Sequence, residues 1–288
     1  MIEFKKVSKT FKRNRVLDEL ELSIMPGERI ALVGSNGAGK TTLIRCLLGE
    51  YTYDGSVSVQ GLAPRPNRQQ VLGKIGFVPQ LPPPLKMPVG QLLTFSAAVC
   101  NSEKQRMEEI ARRLGLDLDK MKSQPFVKLS GGQKQKLLIS IALGRDSNIL
   151  IMDEPAANLD PEARQIFFGL LAERLENTTM LISSHRLDEV SALVNRVIEL
   201  DRGKVVLDDR VADDVSLTGM LACRLSLRRT EESISKALLG WNFQDIGNGL
   251  EWQGSVAGPD RLRFIGMLSR YVGILTKISL DENVGEQA

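Results

Sequence analysis

The sequence predicts an α/β fold in which helices cover a mostly parallel sheet, and three stretches support this prediction. Residues 29–33, 149–152 and 178–184 are apolar runs of strand length, as buried parallel strands are. The first run enters a glycine-rich loop and the other two end in polar residues. At 288 residues the chain has room for one large domain and a small second one.

Composition narrows the class of protein. A net charge of +3 with 25% charged residues gives no concentrated basic field, so no nucleic-acid partner is expected. Cys46, Cys100 and Cys223 are far apart and odd in number, which predicts buried thiols in a reducing compartment. No apolar run approaches the roughly 20 residues of a membrane span, and the N-terminus does not resemble a signal peptide. Any work at a membrane is therefore expected at its surface.

The first 27 residues predict two strands and a turn. Residues 2–7 and 20–24 alternate apolar and polar side chains, and the Pro-Gly pair at 26–27 turns the chain towards the run at 29–33. Between the strands, Phe11 stands where an aromatic ring could stack on a purine base. A lone aromatic residue is more often part of a core or an edge.

A glycine-rich loop follows the run at 29–33 and leads into a predicted helix at 43–48. It matches the phosphate-binding pattern G-x-x-x-x-G-K-[S/T] without a mismatch. Its glycines let backbone N–H groups turn inward on phosphate oxygens at a positive helix end. Lys40 adds a positive charge near the terminal phosphates, and Thr41 supplies a hydroxyl for Mg²⁺ with Thr42 beside it. The candidate phosphate-binding residues are Gly34, Ser35, Asn36, Gly37, Ala38, Gly39, Lys40, Thr41 and Thr42.

The next segment predicts strands, an extended stretch and helices. Strands are predicted at 53–59 and 73–80, and the second ends at Gln80, whose amide could reach a metal ion or a water molecule. The proline-rich stretch 81–88 cannot be helical, and it is either a docking segment or a stiff loop. Two helices are predicted next, from Gln91 to Cys100 and from Glu103 to Leu114.

A second helix start with the features of an anion site lies at residues 129–133, Leu-Ser-Gly-Gly-Gln. Ser130 and Gln133 form an S-x-x-Q capping box ahead of an apolar helix face. Gly131 and Gly132 let an anion approach the backbone closely. Without the loop at residue 34, this pattern would indicate only a well-capped helix.

Two acids end the apolar run at 149–152. Asp153 and Glu154 are expected at the C-terminal end of a strand beside the phosphate loop, where Asp153 would hold Mg²⁺ through water and Glu154 would polarise the attacking water. An exposed acid pair at a strand end is the alternative, and the nearby loop makes it the weaker one. Residues 158–161 turn the chain into a helix predicted to start near Glu162.

The single histidine of the chain, His185, follows the run at 178–184. A neutral imidazole at the rim of a parallel sheet is placed to hydrogen-bond a terminal phosphate or the attacking water. A lone histidine is usually a satisfied surface or core group, but the phosphate loop and the two acids favour the functional interpretation.

In this order the motifs resemble an ATP-binding cassette (ABC) ATPase, the nucleotide-binding subunit of an ABC transporter. The resemblance covers residues 1 to about 210, and the Leu-Ser-Gly-Gly-Gln signature separates this family from other phosphate-loop NTPases. It implies a P-loop NTPase core of ABC type with a β subdomain and a helical subdomain at about 89–147, in a domain covering 1–215.

The resemblance also implies a role for each matching residue. Phe11 is similar to the residue that stacks on adenine, Gln80 to the one that senses Mg²⁺ and the membrane partner, and Asp160 to the loop that crosses a dimer. Phe11 replaces the commoner tyrosine, but no group used in hydrolysis is lost, so an active ATPase is expected. By position, the catalytic residues are Glu154, His185 and Lys40, and the Mg²⁺ residues are Thr41, Gln80 and Asp153.

The chain holds one cassette, and family members pair head to tail. The resemblance therefore implies a homodimer in which each ATP, with Mg²⁺, lies between one phosphate loop and the partner's Ser130, Gly131, Gly132 and Gln133. The expected partner is a separate integral membrane permease, docked near Gln80 and the helical subdomain. The expected place is the cytoplasmic face of the cell membrane, with peripheral attachment.

Residues 216–288 are predicted to form a small second domain after a polar boundary at 208–216. The order strand, helix, hairpin, helix, strand predicts a ferredoxin-like α+β domain. The ending Ser-Leu-Asp-Glu at 279–282 resembles that of export-type cassettes, including those that assist maturation of a periplasmic copper enzyme. Three aromatic residues are expected in the domain core, Trp241, Trp252 and Phe264.

The alternative from another class is a soluble ABC ATPase that acts on DNA, ribosomes or iron–sulfur assembly. The sequence lacks the long heptad insertion, the second cassette and the cysteine cluster that would indicate such proteins. A module that holds ATP without hydrolysing it is disfavoured by Asp153, Glu154 and His185.

Overall fold

The computed structural model describes residues 1–175, 178–184, 190–210, 220–257, 264, 267–268 and 271–282. The chain divides into two compact units, Met1–Val211 and Ala212–Ala288. The predicted domain boundary at 215–216 lies outside the described residues. Within the described ranges, no helix is long and apolar enough to cross a bilayer.

The first unit alternates strands and helices along the chain. Its strands are β1 (Ile2–Phe11), β2 (Asn14–Ile24), β3 (Arg29–Val33), β4 (Asp54–Val59), β5 (Ile75–Val78), β6 (Ile149–Asp153), β7 (Thr179–Ser183), β8 (Arg196–Asp201) and β9 (Lys204–Arg210). Its helices are α1 (Lys40–Leu47), α2 (Arg68–Gly73), α3 (Val89–Cys100), α4 (Lys104–Arg113), α5 (Leu118–Met121), α6 (Gly131–Leu143) and α7 (Pro161–Ala172), with single 3-10 turns at Phe126–Lys128 and Ser191–Leu193.

Two sheets organise this unit. An antiparallel sheet has the order β2-β1-β4. The larger sheet has the order β5-β6-β7-β3-β8-β9, in which β5 to β8 run parallel and β9 returns antiparallel. This sheet confirms the predicted α/β core. Because its strands are parallel, the ends of β3, β6 and β7 meet at one edge, where ligands bind in folds of this kind.

The apolar runs form strands because they are buried on both faces. Every residue of β6 and of β7 is buried, which is typical of central parallel strands. Leu181 packs in one hydrophobic cluster with the α1 helix, and Met152 packs in a second cluster with Phe167 of α7. The sheet is therefore fixed between two apolar layers.

The predicted helical subdomain has a hydrophobic cluster of its own. Leu93 of α3, Met107 of α4 and Leu137 of α6 pack around Phe126, which is fully buried. The predicted helices at 91–100 and 103–114 agree with α3 and α4 to within two residues. Leu85 and Met87 of the proline-rich stretch 81–88 also pack against this cluster, whereas Leu81 is 75% exposed.

The structure corrects two details of the sequence prediction. Gly73 ends the short helix α2, so the strand predicted from residue 73 begins at Ile75. The predicted polar boundary begins inside β9, where Asp208 pairs with Arg196 at 2.7 Å. In both places tertiary contacts override the local pattern: Val71 of α2 is fully buried, and Arg196 is 8% exposed.

The second unit contains an antiparallel sheet and a helix. Its strands, β10 (Met220–Leu227), β11 (Gln244–Asp245), β12 (Glu251–Ala257) and β13 (Leu275–Glu282), have the order β11-β12-β10-β13. The helix Glu232–Gly240 follows β10. Most of the second predicted helix lies outside the described residues, so the ferredoxin-like fold stays a prediction. The predicted aromatic core is present: Phe264 stacks on Phe243 with ring centroids 5.0 Å apart, Trp241 packs against it, and Trp252 is 3% exposed.

Candidate active site

The phosphate loop joins β3 to α1 and has the backbone that its glycines permit. Gly34, Gly37 and Gly39 have φ angles of 142°, 87° and 113°, in the region that L side chains rarely adopt. A Cβ atom on Gly39 would lie 3.0 Å from the carbonyl oxygen of Val16. The loop conformation therefore depends on glycine both for its torsions and for close packing.

Lys40 is the first residue of α1 and turns back over the loop. Its side chain is 8% exposed, and Nζ donates to the carbonyl oxygens of Gly34 at 2.6 Å and Ser35 at 3.1 Å. No side chain caps the start of α1, whose N-cap residue is Gly39. A positive charge and uncapped N–H groups thus face the same loop, which is the environment that a phosphate group requires.

Asp153 and Glu154 are held at the end of β6 by a serine of the neighbouring strand. Ser183 Oγ donates to Asp153 Oδ1 at 2.5 Å and accepts from the Glu154 backbone N–H at 3.0 Å. Asp153 is 3% exposed. Glu154 has a φ of 49°, a left-handed conformation that costs about 1–3 kcal/mol in a non-glycine residue. Sequence reasoning missed Ser183, since a serine inside an apolar run carries no local signal.

One cavity brings most of the predicted site residues together. It has a volume of about 350 Å³. It is lined by Val16, Asn36, Gly37, Ala38, Gly39, Lys40, Thr41, Thr42, Gln80, Asp153 and Glu154. A second cavity of about 670 Å³ shares Asn36, Gln80 and Glu154, and adds Gly34, Ser35 and Glu199. The loop predicted to bind phosphate and the acids predicted to act on it are therefore neighbours.

Four of the lining residues were not predicted as site residues from the sequence: Val16, Val33, Ala157 and Glu199. Val16 lies in β2, far from the loop in sequence, and Glu199 pairs across the sheet with Val33, the last residue before the loop. An acid near the end of a strand is the one signal that could have indicated Glu199. Nothing local indicates Val16, because its position follows from the packing of the antiparallel sheet.

Phe11 does not line either cavity in this conformation. Its ring is 39% exposed and contacts Tyr51 edge to face, with centroids 5.1 Å apart. The Lys9 ammonium lies 4.9 Å from the Phe11 ring centroid. The ring is thus accessible to a stacking base, and the adenine contact stays a prediction.

The signature residues lie outside both cavities. Ser130 Oγ accepts from the Gln133 N–H at 3.2 Å, and Gln133 Oε1 accepts from the Ser130 N–H at 3.0 Å, which is the predicted capping box. Ser130 and Gly131 are exposed. The second candidate anion site is therefore the N-terminus of a helix whose capping box is complete. It is exposed to solvent, and its residues do not line the cavities beside the phosphate loop of the same chain.

Other side chains complete the neighbourhood of the acids. Asp160 caps α7 through the Ala163 N–H at 2.9 Å and pairs with Lys136 of α6 at 2.8 Å. The Lys136 hydrogen bond holds the pKa of the Asp160 carboxyl below its usual range. In α1, burial raises the pKa of the Cys46 thiol to about 11, so this thiol is protonated and unreactive at neutral pH. His185 lies outside the described residues.

The donor set of the cavity fits a magnesium ion. Thr41, Gln80 and Asp153 supply a hydroxyl, an amide carbonyl and a carboxylate to one space. Hard oxygen ligands from one or two side chains, completed by phosphate and water, are what Mg²⁺ takes beside a nucleotide.

The chain is similar to proteins of one family. A family model described as "ABC transporter" matches residues 17–157. The Nod factor export ATP-binding protein I of Paraburkholderia xenovorans is 35% identical over 218 residues, which are 72% of this chain and 70% of the relative. The phosphonates import ATP-binding protein PhnC 2 of Cupriavidus necator is 34% identical over 232 residues, with 72% of this chain and 81% of the relative covered.

Among solved structures, a bacterial ABC transporter cassette in dimeric form matches with a TM-score of 0.65 and 23% identity, over 74% of this chain and 99% of the other. At that sequence identity, the structural match shows the fold alone. The sequence relatives show the family: the chain belongs to the ABC transporter family. Within that family it is an ATP-binding subunit with ATPase activity, as the sequence predicted.

Proposed function

We propose that this chain hydrolyses ATP with Mg²⁺ at the cavity of the phosphate loop, and that it does so as a homodimer that energises a separate membrane subunit. The observation that carries the proposal is the meeting of Lys40, Asp153 and Glu154 in one cavity, with the signature residues turned to solvent elsewhere on the chain.

The residues that line the cavity have roles that follow from their positions. The loop N–H groups and Lys40 bind the phosphates, and their positive potential counters the charge of the transferred group. Glu154 is the base that polarises the attacking water, and its backbone is fixed by Ser183. Thr41, Gln80 and Asp153 would hold Mg²⁺, which neutralises phosphate charge when bound. His185 is proposed to contact the terminal phosphate, and Phe11 to stack on the base.

The homodimer is proposed because one chain cannot complete the site. Ser130 to Gln133 form an exposed helix start with glycines that let an anion approach. They do not line the cavity of their own phosphate loop, so a second copy must present them. A solved cassette with the same fold is dimeric, which supports this arrangement.

The transporter role rests on the relatives. Both named sequence relatives are ATP-binding proteins of transport systems, one described as exporting and the other as importing. We propose export, since the residues 279–282 resemble the ending of export-type cassettes. The proposed place is the cytoplasmic face of a membrane, with a permease docked near Gln80 and the helical subdomain.

The test of the base and the dimer uses Glu154→Gln. With ATP and Mg²⁺ this variant is expected to accumulate as an ATP-bound dimer in size-exclusion chromatography with light scattering, while its turnover falls by about 10²–10⁴. Glu21→Gln is the matched control, because Glu21 is an exposed acid on β2 away from the site. Normal turnover by Glu154→Gln would refute the assignment of the base.

The membrane partner is tested by affinity capture of tagged Glu154→Gln protein from detergent-solubilised host membranes with ATP and Mg²⁺. Recovery of a stoichiometric multi-span membrane protein is expected. Recovery of ribosomes, DNA or soluble assembly proteins would leave the ATPase assignment in place and remove the transporter role.

A further inference from the structure

The helix α6 holds the backbone on which Glu154 stands. Gln135, in the second turn of α6, is 0% exposed, and its Nε2 donates to the carbonyl oxygen of Pro155 at 3.0 Å. Pro155 directly follows Glu154. A side chain of the signature helix thus binds the carbonyl group of the residue that follows the proposed base.

Glu154 lies between two anchors. On its N-terminal side, its own N–H donates to Ser183 Oγ at 3.0 Å. On its C-terminal side, Gln135 fixes the Pro155 carbonyl group. The φ of 49° between these anchors is a conformation that persists only where the surroundings hold it. The orientation of the Glu154 side chain therefore depends on the position of α6.

Further contacts tie the same helix to the rest of this segment. Lys136 pairs with Asp160 at 2.8 Å, at the far end of the loop that begins with Glu154. A Cβ atom on Gly132 would lie 3.1 Å from the carbonyl oxygen of Asn158. The first two turns of α6 thus contact the segment 154–160 at its start, middle and end.

Structural need alone does not account for the amide of Gln135. Within the described part of the chain, its Oε1 is buried and has no hydrogen-bond partner. A buried acceptor without a partner costs free energy, and a methionine would fill a similar volume without that cost. What the amide provides is the single bond from Nε2 to Pro155, which an apolar side chain cannot make.

We infer that Gln135 is a positioning residue for Glu154, and that α6 couples its exposed signature start to the base of its own chain. The inference rests on the proposed function, in which the signature start binds the ATP held by the partner. Occupation of that start would fix α6, and α6 would fix Glu154 through Gln135 and Pro155. Each subunit would then hold its base more firmly when its partner has bound ATP.

The experiment compares the ATPase kinetics of the full chain with those of Gln135→Met. We expect kcat to fall by about tenfold, since the base loses one anchor, while KM for ATP changes by less than about twofold because the phosphate loop is untouched. The Hill coefficient for ATP is expected to fall towards one, and thermal stability to stay level or rise.

Ser140→Ala is the matched control. Ser140 is another fully buried polar residue of α6, and its Oγ donates to Leu137 within the same helix at 2.8 Å. Its variant is expected to keep the kcat of the unaltered chain. An unchanged kcat and Hill coefficient in Gln135→Met, or an equal loss in both variants, would overturn the inference.

Two further measurements keep the outcomes distinct. If Gln135→Met does not give a cooperative melt, Lys136→Met decides: a fall in kcat of about threefold at constant KM supports the coupling, and no fall overturns it. Glu154→Gln is run in the same assay. Full turnover by Glu154→Gln, or no turnover by the unaltered chain, would refute the proposed function itself, whatever the result at Gln135.

Discussion

Two helices of the first unit begin at glycine-containing segments, and their starts differ. At α1 the N-cap residue is Gly39, and within the described part of the chain no side chain caps the helix. At α6 the N-cap residue is Ser130, and a complete capping box with Gln133 satisfies donors at both positions. Lys40 lies over the first start, whereas the first three residues of α6 are uncharged.

The difference indicates which site can act alone. A helix whose first N–H groups have no side-chain acceptor gains most from an anion, so the phosphate loop is a primary binding site. A helix with its own capping box is stable without a ligand. The signature start can therefore remain exposed until it contacts a nucleotide bound to another subunit. The two starts are therefore suited to different steps, the first to binding and the second to closure of a dimer.

The largest effect is expected at the first start. Lys40→Met removes the positive charge over the loop and should lower ATPase activity by about 10²–10³-fold, because the transferred phosphate loses a preorganised charge. Lys134→Met places the same change in the first turn of α6 and should leave activity nearly unchanged. Steady-state ATPase assays of both variants test this difference. Comparable losses of activity would show that the two helix starts are electrostatically alike.

Smaller effects are expected on the free energy of unfolding when alanine replaces one glycine at each helix start, and the two changes should have opposite signs. Gly39→Ala puts a Cβ on a residue with φ of 113° and should lower the free energy of unfolding by about 1–3 kcal/mol. Gly131→Ala meets nothing within 4 Å at a helical position and should raise it by about 0.5–1 kcal/mol.

Urea denaturation measures both changes in unfolding free energy. ATPase activity should fall in Gly131→Ala despite its stability, since the added methyl group lies on the face offered to the partner's nucleotide. A stable Gly131→Ala protein with full activity would contradict the role of the signature start.

The smallest effect concerns a third helix start, at α7, which is capped by a carboxylate. The hydrogen bond from Lys136 lowers the pKa of Asp160 in the folded state below its ordinary 3.8. Asp160 therefore adds stability that is present above the unfolded pKa and is lost as pH falls through the folded pKa. Asp160→Asn keeps a capping oxygen but loses the ion pair. Its deficit against the unaltered chain should be small at neutral pH and should vanish in acid, as followed by denaturation across that range. A deficit independent of pH would show that the charge of Asp160 has no part in it.

The sequence predicted the core of the first unit because its signals are strong and local. Runs such as 149–152 are apolar throughout, since central parallel strands are buried on both faces. The helix α2 was missed because its Arg68–Gly73 sequence has one fully buried residue, Val71, and its place depends on packing. His185, the domain boundary at 215–216 and the second helix of the small unit stay predictions.

The candidate site was predicted in part for the same reason. The loop at Gly34 to Thr42 needs particular torsions, and only glycine at fixed spacing permits them, so the motif is legible without a fold. The sequence did not predict Ser183, Val16 and Gln135, because each contacts or lies beside residues from another segment of the chain. Their side chains are ordinary for the strand or helix in which they lie.

By itself, the sequence determined the central strands β3, β6 and β7, the phosphate loop, the capping box and the acids at the end of β6, because torsion, burial and capping are encoded over a few residues. The tertiary structure decided which of these meet. The order β6-β7-β3 brings Asp153 and Ser183 to the edge where the loop begins. The packing of α6 against the segment after β6 gives Glu154 its second anchor. Those relations depend on strand order and on helix packing between segments that are separate in sequence, which no local pattern specifies.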